Sequence, residues 1–324
     1  MAGSNRSLVA CVVGGAGFVG RAVVNELLRH DRRVLVLGRR ATPLEALPKE
    51  VEYIVNTGEE ELLRVVLDRA DEIIDLSYST VPQTSFEDPV RDLVGNLPTT
   101  VRLFELAAKA SLHRFIWISS GGTVYGRSSS PSQSENHPTN PISPYGITKL
   151  ACEKYARFFF ETQHLPILCL RPSNAFGEGQ RPYSGQGFIA TAIASALDNK
   201  PLMLFGQNGT VRDYLHVRDM ARGIVAALQH GLPGEIYNLG SGCGLSNRQI
   251  LNSLYPLAAK ARLALEVRVM PERPFDVPSN VLDSQKLTQH TGWMPSVEFS
   301  TALSCTWDWY VRKKQEKTQA RDVV

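Results

Sequence analysis

Apolar runs of strand length alternate through the first half of the chain with longer stretches in which apolar residues return every three or four positions. The runs are "LVACVV", "RVLVLG", "EIIDLS", "RFIWIS" and "LPILCLR". Each is continuously apolar, so both faces of each strand are buried, as in a parallel sheet covered by helices on either side. The pattern predicts an α/β fold, a Rossmann-type doubly wound parallel sheet with a smaller C-terminal α/β lobe. After Arg171 the pattern loosens into "RPSNAFGEGQRPYSGQG", with a helix expected near residues 186 to 199, and it tightens again at "RDYLHVRDMARGIVAAL" and "EIYNLGS". The expected division places the first lobe at 1–172, with a returning segment at about 213–240. A second lobe is built from 173–212 and 241–312, and the polar stretch 313–324 is expected to be a flexible tail.

Composition narrows the classes. The 35 basic and 32 acidic residues leave a net charge of +3, too small for a nucleic-acid footprint without clustering, so a small anionic ligand is the expected acidic partner. Cys11, Cys152, Cys169, Cys243 and Cys305 lie far apart without metal-ligand spacing, which points to no metal site, no disulfide framework and a reducing cytoplasm. "LVACVVGGAGFVG" has some character of a secretory apolar region but runs straight into a helical pattern, so it reads as a first strand; no run is long enough for a membrane helix.

Two motifs carry candidate chemistry. In "VVGGAGFVGRAVV" the glycines Gly14, Gly17 and Gly20 follow a strand and open a helix. There they tighten the turn, let backbone N–H groups approach a pyrophosphate and let helix and strand pack closely, with Phe18 and Val19 at the helix start facing the anion. The second strand ends in Gly38, Arg39 and Arg40, without the acidic residue that usually takes the ribose 2′-hydroxyl of NAD. Arg39 and Arg40 suit the 2′-phosphate of NADP, or Arg39 stacks on adenine and NAD is the ligand; the residues leave both open.

Tyr145 and Lys149, four apart, share one face of a helix whose start is marked by Ser143 as N-cap and Pro144 as first residue. A free tyrosine, with a pKa of about 10, is roughly 0.1% phenolate at neutral pH. A nearby ammonium and an oxidised nicotinamide lower that pKa, which makes Tyr145 a usable base.

The glycine turn, "SSGGTVYG", "YGITK", "LRPSNAFG" and "RDYLHVRD", in this order, resemble the extended short-chain dehydrogenase/reductase family, and in particular its nucleotide-sugar 4-epimerases acting on UDP-hexoses. The resemblance spans about residues 8 to 310. It implies C4 epimerisation of a UDP-sugar with a retained NAD: Tyr145 as base and then acid, Lys149 on the nicotinamide ribose, and a hydroxyl bridging sugar and phenol. The family's hydroxyl stands four residues before the tyrosine of "VYG", and here that position is Gly121; Ser120, with Thr123 as second choice, is expected to replace it. The acid pair of family dehydratases would fall on Gly122 and Thr123, which counts against dehydration.

The resemblance further implies that Arg212 and Arg273 clamp the diphosphate and Asp276 bonds the uridine ribose. Asn96 and Asn174 are expected to line the sugar site. Asn280 stands where family members restricted to the unacetylated sugars have tyrosine, so it is expected to leave room for, and to hydrogen-bond, a 2-acetamido group. UDP-N-acetylglucosamine is therefore the expected substrate, with UDP-glucose also possible. A homodimer through helices near 88–110 and 144–164 follows from the family. The rival readings are an NADP-dependent 4-keto nucleotide-sugar reductase and a dinucleotide-binding sensor without turnover.

Overall fold

A computed structural model describes residues 6–273 and 276–322. Seven parallel strands form the central sheet: β1 (Val9–Val13), β2 (Arg33–Gly38), β3 (Glu52–Val55), β4 (Glu72–Asp75), β5 (Arg114–Ile118), β6 (Ile167–Pro172) and, from late in the chain, β10 (Ile236–Leu239). Their order is β10-β6-β5-β4-β1-β2-β3, so the direction of winding reverses beside β1. Ligands of such sheets bind across the strand carboxyl ends at that reversal. The continuous apolar runs are explained directly, since every residue of β1 and β4 is buried.

One face of the sheet is covered by α1 (Phe18–Arg29) and α8 (Val217–His230). The other is covered by α2 (Glu60–Arg69), α4 (Pro89–Ala107) and α6 (Pro144–Gln163). There Phe104 of α4 meets Phe115 and Trp117 of β5 and Phe159 of α6 edge to face, at centroid distances of 5.5, 6.1 and 6.0 Å. Two short helices, α3 (Pro82–Glu87) and α5 (Gly121–Val124), follow β4 and β5 at the carboxyl edge.

The smaller lobe has its own core beneath α7 (Phe188–Asp198), α9 (Asn247–Lys260) and α11 (Phe299–Asp322). Its strands are β7 (Asn174–Phe176), β9 (Val211–His216), β11 (Gly244–Ser246) and β13 (Ser279–Asn280), with β9 pairing all three others, and the separate pair β8 (Leu202–Phe205) and β12 (Val267–Met270). Helix α10 (Gln285–Thr291) leads back to the large sheet.

One expectation is corrected. The polar stretch from residue 313, expected as a frayed tail, continues α11 to Asp322, and Lys314 reaches back to the Asp198 carboxylate at 3.1 Å. Mixed charge at helical spacing supports a solvated helix as well as a coil; here docking of its N-terminal half through Leu303, Trp307 and Tyr310 extends it.

Candidate active site

The glycine turn adopts the geometry its sequence implies. Gly14 has φ +80°, and its N–H donates to the Leu37 carbonyl of β2 at 2.8 Å, which fixes the turn against the second strand. A Cβ at Gly20 would lie 2.4 Å from the Gly14 carbonyl oxygen and 2.6 Å from the Gly15 Cα, so only glycine lets α1 approach the turn this closely. Gly17 caps α1 without any side-chain acceptor while its own N–H donates to the Gly14 carbonyl at 2.9 Å, leaving the N–H groups of Phe18 and Val19 to an anion. This cradle fits the pyrophosphate of a dinucleotide.

At the end of β2 the Gly38 side-chain space is filled: a Cβ there would lie 2.3 Å from the Tyr53 hydroxyl. Tyr53 in turn donates to the Arg40 carbonyl at 2.8 Å. Arg39 and Arg40 are exposed at the tip of this turn.

Helix α6 starts as its sequence predicts, with Ser143 Oγ accepting from the Gly146 N–H at 3.1 Å and Pro144 in the first turn. That start aims Tyr145 and Lys149 at the carboxyl edge of β4 and β5. Lys149, only 3% exposed, donates to the Ile118 carbonyl at 2.7 Å. Burial brings its pKa down to about 8, and the surrounding Cys152, Asp75, Glu153 and Asp92 act in the opposite direction.

Burial, then the Asp92 charge, hold the Tyr145 phenol well above its ordinary pKa, while the Ser120 side chain lowers it as a hydrogen-bond partner. Ser120 thus faces the phenol. The Thr123 hydroxyl is buried without a partner, and the Thr123 carbonyl lies against Gly146, where a Cβ would come within 2.7 Å. Gly121, at the family's hydroxyl position, has no room for a side chain: a Cβ would meet Leu282 at 2.4 Å and the Arg171 carbonyl at 2.8 Å.

Asn174 lies beside this loop, its Oδ1 3.5 Å from where a Gly122 Cβ would stand. Arg212, Arg273 and Asp276 come together at the β9–β13 side of the smaller lobe. Arg212 donates to the Val211 and Val277 carbonyls, both at 2.8 Å. Arg273 grips Asp276 through two bonds of 2.8 and 3.0 Å and lies over the Phe205 ring at 4.2 Å. The expectation that Asp276 stands ready for a ribose is therefore modified, because its carboxylate is neutralised by Arg273.

Two other placements differ from expectation. Asn96 holds the chain instead of lining the cleft: Oδ1 accepts from the Ser79 N–H and hydroxyl at 2.8 and 2.9 Å, and Nδ2 donates to Thr80 and the Asp92 carbonyl at 3.1 and 2.7 Å. Asn280 is 1% exposed and donates to the Gly121 carbonyl at 3.0 Å and to Gln133 at 3.3 Å, so its N–H groups brace the Ser120 loop; only its Oδ1 lacks a partner.

Sequence reasoning missed Tyr78. Its ring sits 3.9 Å from the Lys149 ammonium and 4.9 Å, edge to face, from the Tyr145 ring. It also missed the buried brace behind the loop, where Ser119 donates to Glu153 at 2.5 Å and Glu153 takes two bonds from Arg171 at 2.9 and 2.6 Å. Arg171 continues to the Tyr125 hydroxyl at 2.9 Å, and Tyr125 to Asn238 at 2.6 Å. The available signal was an arginine closing the apolar run "LPILCLR" and a glutamate four residues after Lys149.

A doubly wound sheet whose glycine turn faces a tyrosine–lysine helix defines a dinucleotide-dependent enzyme class. The model of the NAD dependent epimerase/dehydratase family matches residues 10–240, and the chain belongs to that family. It is similar to the putative UDP-glucose 4-epimerase of Methanocaldococcus jannaschii, 28% identical with 92% of this chain and 97% of that one covered. It is also similar to a dTDP-glucose 4,6-dehydratase of Neisseria gonorrhoeae, 28% identical over 95% and 97% of the two chains. A crystal structure of Thermus thermophilus UDP-glucose 4-epimerase in complex with NAD superposes with a TM-score of 0.86 at 32% identity, covering 94% of this chain and 99% of that chain. No helix among the described residues is long and apolar enough to cross a membrane.

Proposed function

We propose that this chain interconverts the C4 epimers of a UDP-hexose, with UDP-N-acetylglucosamine as its preferred substrate and NAD as the retained cofactor. The observation that carries the reading is Ser120 facing the phenol of Tyr145 one helical turn from the buried Lys149. The Gly14–Gly20 cradle would hold the dinucleotide, which would supply reversible hydride-acceptor chemistry at C4 of the sugar.

The protein's own residues handle the proton. Tyr145 takes it from the 4-hydroxyl and gives it back to the 4-keto oxygen, and Ser120 bridges sugar oxygen and phenol. The Lys149 ammonium holds the nicotinamide ribose and favours the phenolate. Arg212 and Arg273 supply positive charge for the two phosphates, Arg273 exchanging its hold on Asp276 for the ligand. The partnerless Asn280 Oδ1 is an acceptor for an acetamido N–H. Dehydration needs a carboxyl pair where Gly122 and Thr123 stand, and the buried acids nearby are engaged: Asp92 by Thr80 and Thr148, Glu153 by Arg171.

Proton NMR of purified protein given UDP-N-acetylglucosamine and no added cofactor is expected to show UDP-N-acetylgalactosamine. Conversion of UDP-glucose alone would remove the acetamido argument and leave the mechanism. Failure with both sugars, also after adding NAD and NADP, would end the epimerase reading. It would favour a 4-keto nucleotide-sugar reductase, the second reading that Arg39 and Arg40 support, because a reductase must release NADP at each turnover.

The functional unit is proposed to be a homodimer. Val90 and Val94 on α4 are 68% and 62% exposed, and Ile147 and Phe158 on α6 are 56% and 48% exposed, on two helices packed side by side. A matching pair from a second copy completes a four-helix core. Sedimentation velocity is expected to give twice the chain mass, and Val94→Arg to give a monomer; a monomeric wild type would refute the assignment.

A further inference from the structure

We infer that Tyr78 is a positioning residue of this site: its ring and that of Trp117 form an aromatic cage that holds the Lys149 ammonium, charged, beside Tyr145. The inference rests on the tyrosine–lysine reading above and adds the side chain that keeps its cation in place.

The Lys149 ammonium lies in the interior without an ion pair among the described residues. The charged and titratable groups that face it are Asp75 at the end of β4, Asp92 of α4, and Cys152 and Glu153 of α6. Each acid is engaged elsewhere. Asp75 accepts from the Ser77 N–H and hydroxyl at 2.9 and 2.6 Å, Asp92 accepts from the Thr80 and Thr148 hydroxyls, and Glu153 is gripped by Arg171. What remains is one carbonyl, that of Ile118 at 2.7 Å. A buried cation with so little compensation sheds its proton unless something else offsets the lost hydration.

Two ring faces supply that offset. The ammonium nitrogen lies 3.9 Å from the centroid of Tyr78 and 4.7 Å from that of Trp117. Both are inside the roughly 6 Å over which a ring quadrupole attracts a cation. The Tyr145 ring is more distant, at 5.8 Å. Trp117 belongs to the core through Phe104, so Tyr78, half-buried in the loop after β4, is the wall that can be replaced.

That loop is pinned on both sides of Tyr78. Ser77 is held by Asp75, and Ser79 by Asn96 through its N–H and hydroxyl at 2.8 and 2.9 Å. Asp92 joins Thr80 of the loop to Thr148, the neighbour of Lys149 on α6. Three buried polar side chains that the proton chemistry does not use therefore fix where the ring stands. The same ring meets Tyr145 edge to face at 4.9 Å, so one side chain sets the spacing of base and cation.

Carbon-13 NMR of protein labelled at the lysine ε-carbon, with the Lys149 signal identified by its loss in Lys149→Arg, tests the inference. Wild type is expected to titrate at about 8. Tyr78→Leu, which fills the space without a ring face, is expected to titrate at about 7, a tenfold change in the ammonium-to-amine ratio, within what a desolvated cation–π contact contributes. Tyr78→Phe should keep the wild-type value. If Tyr78→Leu does not fold, a ring-fluorinated phenylalanine at position 78 keeps the shape, depletes the ring face and should lower the value likewise. A Lys149 that titrates in Tyr78→Leu as in wild type or higher overturns the inference, and so does an equal fall in Tyr78→Phe. In turnover, the kcat deficit of Tyr78→Leu should be small at about pH 6, where the ammonium is complete in both proteins, and approach tenfold at about pH 9; a deficit equal at the two pH values would mean a structural role only. The NMR titration needs no turnover. If neither sugar is converted, the proposed reaction fails and the Lys149 titration still decides the cage; conversion with an unmoved Lys149 refutes the cage alone.

Discussion

Tyr145→Phe is expected to lower kcat by about a thousandfold, within the range of 10² to 10⁴ that positioned proton transfer contributes, while nucleotide retention and unfolding midpoint stay unchanged. The phenylalanine keeps the ring that packs edge to face on Tyr78 and removes only the oxygen that faces Ser120. The pH profile carries a second test. The Lys149 pKa is brought down to about 8 by burial, so its ammonium is complete below that value and lost as pH rises through it. Phenolate formation at Tyr145 works in the other direction, being favoured as pH rises. The kcat/KM profile of wild type should therefore rise with pH up to about 8 and show a flattened alkaline limb above it, where loss of the ammonium offsets the continuing gain in phenolate. In Lys149→Arg, whose guanidinium stays charged, whatever activity remains should lack that limb. A Tyr145→Phe enzyme with more than a tenth of wild-type kcat would show that the proton moves through another group.

The sheet was legible because parallel strands buried on both faces leave uninterrupted apolar runs, and because turn chemistry at Gly14, Ser143 and Pro144 is local. Tyr145 and Lys149 were legible for the same reason: helical spacing alone puts them together. What the sequence could not convey depends on distant segments. Nothing local marks Leu282, from the far end of the chain, as the side chain that fills the space at Gly121, or Tyr53 as the one that fills Gly38. The same limit applies to Asn96 and Asn280. An asparagine beside a candidate cleft can line it or brace it, and only the partners decide; here Ser79 and Thr80 engage one, Gly121 and Gln133 the other. His216 shows the converse. It caps α8 through the Arg218 N–H while its other nitrogen meets Glu178 at 3.1 Å. The Glu178 carboxyl is accordingly held down, to a pKa of about 2, first by the bond to His216.

The largest effect on stability is expected at Glu153 and Arg171, whose side chains are 1% and 4% exposed. Glu153→Ala strands a guanidinium in the interior with only the Tyr125 hydroxyl as a partner, and removing one member of a buried pair costs about 3–5 kcal/mol. Urea unfolding monitored by tryptophan fluorescence should show the unfolding free energy falling by that amount, seen as a lower midpoint at unchanged slope. The double variant Glu153→Leu/Arg171→Met, which removes both charges and keeps much of the volume, should recover most of the loss, because the desolvation cost disappears together with the attraction. Recovery of stability is not expected to restore catalysis in full. Glu153 also accepts from Ser119, the residue next to Ser120, and Arg171 presents its carbonyl to Gly121, so the brace sets where the assisting hydroxyl stands. Stability restored with kcat still depressed would separate the two roles. Recovery of both would mean that packing alone positions the loop, and a single variant as stable as wild type would mean that water reaches the pair.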